Sequence, residues 1–159
     1  MSLTQLRNLG IVANAGISTT KLGTGAVLQV VTATDSTTRS TTSSEFVTAS
    51  NTLSVTITPS SASNKIFVIA TCNIGMSSTT HTGYITIFRG ATDIGTGSLG
   101  MSAFKNIGDD GIPASVSVLD SPSTTSATTY QIYVKNISGG TTYLNQGSKS
   151  SITAFEIAG

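Results

Sequence analysis

Lys65-Ile66-Phe67-Val68-Ile69-Ala70-Thr71-Cys72-Asn73 is the stretch that decides the fold class. Read with a period of two, it puts Ile66, Val68, Ala70 and Cys72 on one face and Phe67 and Ile69 on the other, a strand apolar on both sides. Tyr84-Ile85-Thr86-Ile87-Phe88-Arg89 repeats the pattern, with Ile85 and Ile87 opposed to Tyr84 and Phe88. Other runs alternate cleanly: Leu53, Val55 and Ile57 against Ser54, Thr56 and Thr58, and Tyr130, Ile132 and Val134 against Gln131, Tyr133 and Lys135. One apolar and one polar face is the habit of an antiparallel sheet that meets a core on one side and water on the other.

Outward from these runs, short β-prone segments recur at near-regular intervals with turn residues between them, which predicts an all-β antiparallel sandwich. The expected strands are Val27 to Thr34, Glu45 to Ala49, Thr52 to Thr58, Lys65 to Asn73, Tyr84 to Arg89, Ala103 to Ile107, Ser115 to Leu119, Tyr130 to Asn136, Thr142 to Leu144 and Ser151 to Ile157. Asp35 to Ser44, Thr58 to Asn64, Gly90 to Gly111 and Ser121 to Thr129 read as loops, and helices are nearly absent from the pattern. Residues 26–159 form the expected β head and residues 1–25 an N-terminal arm. In the arm, Leu3, Leu6, Leu9, Ile11, Val12, Ile17 and Leu22 are spaced too loosely for a long helix and interrupted by Gly10, Gly16 and Gly23. Such residues cannot bury one another within one chain, so a partner surface is expected to cover them. The second apolar face of the two-faced strands needs a cover as well. With no spare helix in the sequence, the economical cover is another subunit, and the competing reading is enclosure within a single core.

Composition narrows the function classes. The 159 residues are 9% charged, and Ser and Thr supply roughly a third of the chain, so hydroxyls rather than charges keep the surface wet. A formal net charge of +1 with eight scattered basic residues gives no field to neutralise several phosphates, which argues against nucleic acid as a partner. Cys72, alone of its kind, sits in the apolar run and reads as a buried thiol in a chain folded in a reducing cytoplasm. Ala13-Asn14-Ala15 imitates a signal-peptide cleavage site, but the apolar patch before it is short and lacks a basic cluster. No segment approaches the ~20 apolar residues that cross a bilayer, so no membrane insertion is expected.

Chemistry-bearing constellations are sparse, and neither a catalytic residue, a cofactor nor a metal site is assigned. His81, the one histidine, lies in the loop Met76 to Thr82; a Ser/His/Asp arrangement around it is conceivable by spacing, yet no Gly-x-Ser-x-Gly elbow is present. One His and one Cys cannot make a zinc site. Asp109-Asp110-Gly111 lacks the spacing of a calcium loop and reads as a turn, and Arg89-Gly90-Ala91-Thr92-Asp93 reads as another. Gly95-Thr96-Gly97-Ser98-Leu99-Gly100 matches a dinucleotide fingerprint in letters only, since it sits among hairpin signals and opens no helix.

The arm Gly16-Ile17-Ser18-Thr19-Thr20-Lys21-Leu22-Gly23-Thr24-Gly25-Ala26-Val27-Leu28-Gln29-Val30-Val31 resembles the shaft-to-head junction of phage tail-fibre and head-fibre proteins. Ile57-Thr58-Pro59-Ser60-Ser61 with Lys65-Ile66, Ser123 to Tyr130, and the closing Ser151-Ile152-Thr153-Ala154-Phe155-Glu156-Ile157 resemble the small trimeric heads of marine tailed phages, over residues 16–159. Such heads are similar to the jelly rolls of the tumour-necrosis-factor and complement-C1q type. The resemblance implies a homotrimer packed by its inner sheets, attached to the virion by the N-terminus and assembled in the host cytoplasm. Only ~25 residues precede the first strand, less than the ~50 of a small domain, which favours a capsid decoration protein or head fibre over a complete tail fibre. Implied partners are sister chains and other virion proteins, such as major capsid or tail proteins. Leu3, Leu6, Leu9, Ile11 and Val12 are then expected to dock on the particle, and Ile17, Leu22, Phe67, Ile69, Tyr84 and Phe88 to meet sister chains. The alternative is the receptor-binding tip of a tail fibre that recognises host surface polysaccharide, with Ser77, Thr79, His81, Thr124 and Thr128 on the contacting loops.

Overall fold

The computed structural model describes residues 22–105 and 111–159. Within them the chain forms eleven strands: β1 (Val27–Asp35), β2 (Arg39–Thr41), β3 (Ser54–Ile57), β4 (Lys65–Met76), β5 (Thr82–Arg89), β6 (Thr92–Asp93), β7 (Ser102–Lys105), β8 (Ile112–Asp120), β9 (Thr128–Asn136), β10 (Thr142–Leu144) and β11 (Ser150–Ile157). A single 3-10 turn, Gly97–Leu99, is the only helical element among the described residues.

Two antiparallel sheets face each other. In sheet A, β4 pairs with β8 on one flank and with both β11 and β10 on the other, beyond which lie β1 and β2. β10 and β11 run the same way along β4 and are split only by the loop Asn145 to Lys149; β1 and β2 are split likewise at residues 36–38. Sheet A is therefore four columns wide: β1/β2, β10/β11, β4, β8. In sheet B, β5 pairs with β9 on one flank and with β6 and β7 on the other, and β3 lies beyond β9. Its columns are β3, β9, β5 and β6/β7.

The inward faces follow from period two. Ile66, Val68, Ala70, Cys72 and Ile74 of β4, Ile152 and Ala154 of β11, and Ala114 and Val116 of β8 meet Val55 and Ile57 of β3, Ile85 and Ile87 of β5, and Tyr130, Ile132 and Val134 of β9. Burial pushes the Cys72 thiol up to about 12, leaving it protonated and inert at neutral pH.

Three local expectations need correction. Glu45 to Ala49 is no strand: only Val47 bridges to Val134, because Ala49 and Ser50 take left-handed backbone and bend the chain towards Leu53. The expected loops Asp35 to Ser44 and Gly90 to Gly111 contain β2 and β6, strands of three and two residues paired only because a neighbouring edge is within reach. Residues 106–107 of the expected strand Ala103 to Ile107, and Asp109 and Asp110, lie outside the described residues.

Candidate functional site

The outer face of sheet A grades from apolar to hydroxyl along its length. In register across the four columns, Val30 of β1 pairs with Phe155 of β11, Phe155 with Phe67 of β4, and Phe67 with Leu119 of β8. The Phe67 and Phe155 rings lie 6.1 Å apart, while Val30 and Leu119 are 53% and 54% exposed. The next row is Thr32, Thr153, Ile69 and Ser117; the one after is Thr34, Ser151, Thr71 and Ser115, hydroxyls throughout. The apolar row is placed at one end of the sheet, with Val27 and Ile157 paired beside it.

That end is also where the chain enters. Gly25 N–H donates to Ala158 O at 2.8 Å and Ala158 N–H to Ala26 O at 2.9 Å, so the lead into β1 lies against the exit of β11. Leu22 is exposed there and lines a shallow hollow of about 330 Å³ with Leu28, Ser60, Asn64 and Gly159.

Beneath this end sits an inward-facing carboxylate. Glu156 is 1% exposed, and among the described residues no cation pairs with it. It accepts instead from Ser60 N–H at 2.6 Å, Ser60 Oγ at 2.8 Å, Asn64 Nδ2 at 2.5 Å and Gln29 Nε2 at 2.6 Å. Burial alone raises its pKa, but these donors outweigh burial and hold it below the usual glutamate value. One side chain thereby ties β1, the bend after β3 and β11 together. Asp35 does similar work at the other end of β1, accepting from the N–H groups of Thr37 and Thr52 and from Arg39 Nε at 3.2 Å. There too burial raises the pKa, and the donors win and lower it.

Over β5 the outer face of sheet B is covered by the chain itself. Phe88 stacks on Tyr133 with centroids 3.9 Å apart and meets the Phe46 ring edge-on at 6.2 Å. Tyr84, 8% exposed, lies under Lys135, whose ammonium sits 4.4 Å from the Phe46 ring centre and donates to Ser98 O at 2.5 Å. Gly100, at φ 62°, presses on Phe46 and Ile85 O, where a Cβ would stand 2.7 Å and 2.8 Å away. The Gly95 to Gly100 segment is thus a lid on β5, with glycine where its backbone comes closest. The expected subunit contacts consequently do not gather on one surface. Phe67 and Ile69 lie on the open face of sheet A, Tyr84 and Phe88 on the self-covered face of sheet B, and Leu22 at the entry end. Leu3, Leu6, Leu9, Ile11, Val12 and Ile17 lie outside the described residues.

The candidate receptor loops also separate. Ser77, Thr79 and His81 join β4 to β5 at the end opposite the chain entry. There Ser77 Oγ lies 3.0 Å from His81 Nδ1 and accepts from Thr141 N–H at 3.0 Å, and Gly140 packs so closely on the imidazole that a Cβ would overlap it. Among the described residues no carboxylate hydrogen-bonds that ring, and no group of three His, Cys, Asp or Glu side chains could hold a metal ion. Thr124 and Thr128 lie at the entry end. They line a cleft of about 380 Å³ with Arg89, Gly90, Pro122, Ala127 and Thr129.

Arg89 and Asp120 form a link between the sheets that the sequence did not announce. Arg89 Nη1 lies 2.9 Å from both Asp120 oxygens, and the buried Tyr130 hydroxyl donates to Asp120 Oδ2 at 2.6 Å. Burial and the Asp120 carboxylate push the Tyr130 pKa up, so the phenol stays a donor. Among the described residues no helix is long and apolar enough to cross a membrane. The chain matches no protein-family model and no curated protein.

Proposed function

We propose that this chain is a non-enzymatic structural protein of a tailed-phage virion, a surface fibre or capsid decoration protein working as a homotrimer with a jelly-roll head. The strand order supports the jelly roll. Taken as eight columns in chain order, sheet A reads 1-8-3-6 and sheet B reads 2-7-4-5, the order in which a double Greek key closes. The observation that carries the oligomer is the apolar row Val30, Phe155, Phe67 and Leu119. It crosses a whole sheet face that no described part of the chain covers, at the end where the arm joins the head. Burying such side chains is worth ~1.5–3 kcal/mol each, and a threefold arrangement hides the same row on every copy. Sheet B, already covered from within, then faces outward.

The arm supplies attachment in this reading, with Leu3, Leu6, Leu9, Ile11 and Val12 meeting the particle. Deleting residues 1–15 is expected to leave the β circular-dichroism signal and the melting transition in place while the protein no longer co-sediments with particles lacking it. Co-sedimentation at the full-length level would overturn the role given to the arm.

A further inference from the structure

The cleft beside Arg89 belongs to neither the apolar row nor the arm, and its chemistry points to a ligand. We infer that it is a subsite for a neutral saccharide, held by hydroxyl hydrogen bonds to the Arg89 guanidinium and to Thr124 and Thr128. The inference deepens the alternative reading, a receptor-binding tip that recognises host surface polysaccharide, and rests on that reading only for its biological meaning.

Only Nη1 of Arg89 is engaged by Asp120; Nε and Nη2 have no partner among the described residues, and the side chain keeps 32% of its surface exposed. The guanidinium is nonetheless fixed, because Asp120 is held from behind by the Tyr130 hydroxyl. A donor that is locked before its ligand arrives loses little rotamer entropy on binding. The opposite wall is fixed as well. Thr128 Oγ1 donates to Ser126 O at 3.0 Å, Ser126 N–H donates to Thr124 Oγ1 at 3.0 Å, and Gly90 N–H donates to Thr129 O at 2.9 Å. Those threonine oxygens keep lone pairs for an incoming hydroxyl.

Charge selects among ligands. Asp120 already offsets the Arg89 charge, so the cleft has no net positive field to draw an anion, while sugar hydroxyls can accept from the open guanidinium N–H groups and donate to the threonine oxygens. The cleft has no aromatic platform, since Tyr130 is wholly buried, so a single site is weak and polar.

The test titrates the full-length protein with methyl glucoside, methyl mannoside, methyl galactoside and methyl glucuronide, following backbone amides and the Arg89 Nε–H by NMR. The expected result is saturable shifts at Gly90, Thr124, Thr128, Thr129 and Arg89 Nε–H with at least one neutral glycoside below about 100 mM. Arg89→Lys keeps a cation beside Asp120 but removes Nε and Nη2, so it should abolish those shifts while the melting transition stays put. No saturable shift with any neutral glycoside, shifts that survive in R89K, or a preference for the glucuronide would each overturn the assignment. Failure here leaves particle attachment untouched, and failure of the truncation test leaves this site untouched.

Discussion

Phe67→Asp is expected to convert the assembled protein into folded monomers. Phe67 points away from the core, between Phe155 and Leu119, so the change leaves Ile66 and Val68 beneath it undisturbed. Each contact loses the burial of an aromatic ring, about 2 kcal/mol, and gains a carboxylate that must be desolvated to re-form it, a further cost of several kcal/mol. Thr56→Asp on the outer face of sheet B serves as the control, because β3 buries Val55 and Ile57 and leaves Thr56 exposed. Light scattering coupled to gel filtration should give one chain mass for F67D, three for T56D, and the same β signal for both. An assembled F67D would show that the apolar row is not the contact.

Glu156→Ala is expected to destabilise the head by about 3 kcal/mol or more at pH 7, since hydrogen bonds to a charged group are worth ~1.5–3 kcal/mol each and the orphaned Asn64 amide stays buried. The donors at risk are Ser60 N–H, Asn64 Nδ2 and Gln29 Nε2, and their loss loosens the entry end of the sandwich first. The sign of the pH dependence follows from the pKa. A carboxylate whose folded value is depressed contributes fully above its unfolded value, near the ordinary glutamate 4.5, and loses that contribution as pH falls through the lower folded value. Urea midpoints for wild type and E156A should therefore lie far apart at neutral pH and converge in acid below the ordinary glutamate value. A gap of constant size down to pH 2–3 would mean that the side chain contributes by filling space rather than by its charge.

Much of the sandwich was legible because its inward residues are apolar at strict period two, as in Leu53, Val55 and Ile57 or Tyr130, Ile132 and Val134. The short strands Arg39–Thr41 and Thr92–Asp93 were not: the first is paired by β10, far along the chain, and the second is two residues folding back on the end of β5, too short to carry a period. The two-faced character of β4 and β5 was plain, yet what covers each was not. β5 is covered by Phe46 and Lys135, both remote in sequence, and by the Gly95 to Gly100 segment that follows it, whereas the outer face of β4 stays open over Phe67 and Ile69. Glu156 sits at an inward position of an alternating strand, but its partners lie 92 to 127 residues away, so nothing local distinguishes it from a solvated acid. The same holds for Arg89 and Asp120, 31 residues apart. Thr124 and Thr128 were grouped with Ser77, Thr79 and His81 by composition, and chain direction along β4, β5 and β9 sends the two sets to opposite ends of the head.

Sedimentation equilibrium of the full-length protein at micromolar concentration tests the central claim most directly. A mass three times the 16.2 kDa of one chain, independent of loading concentration, is what the open apolar face of sheet A predicts. A stable species of one chain, with Val30, Phe67, Phe155 and Leu119 left to water, would contradict it.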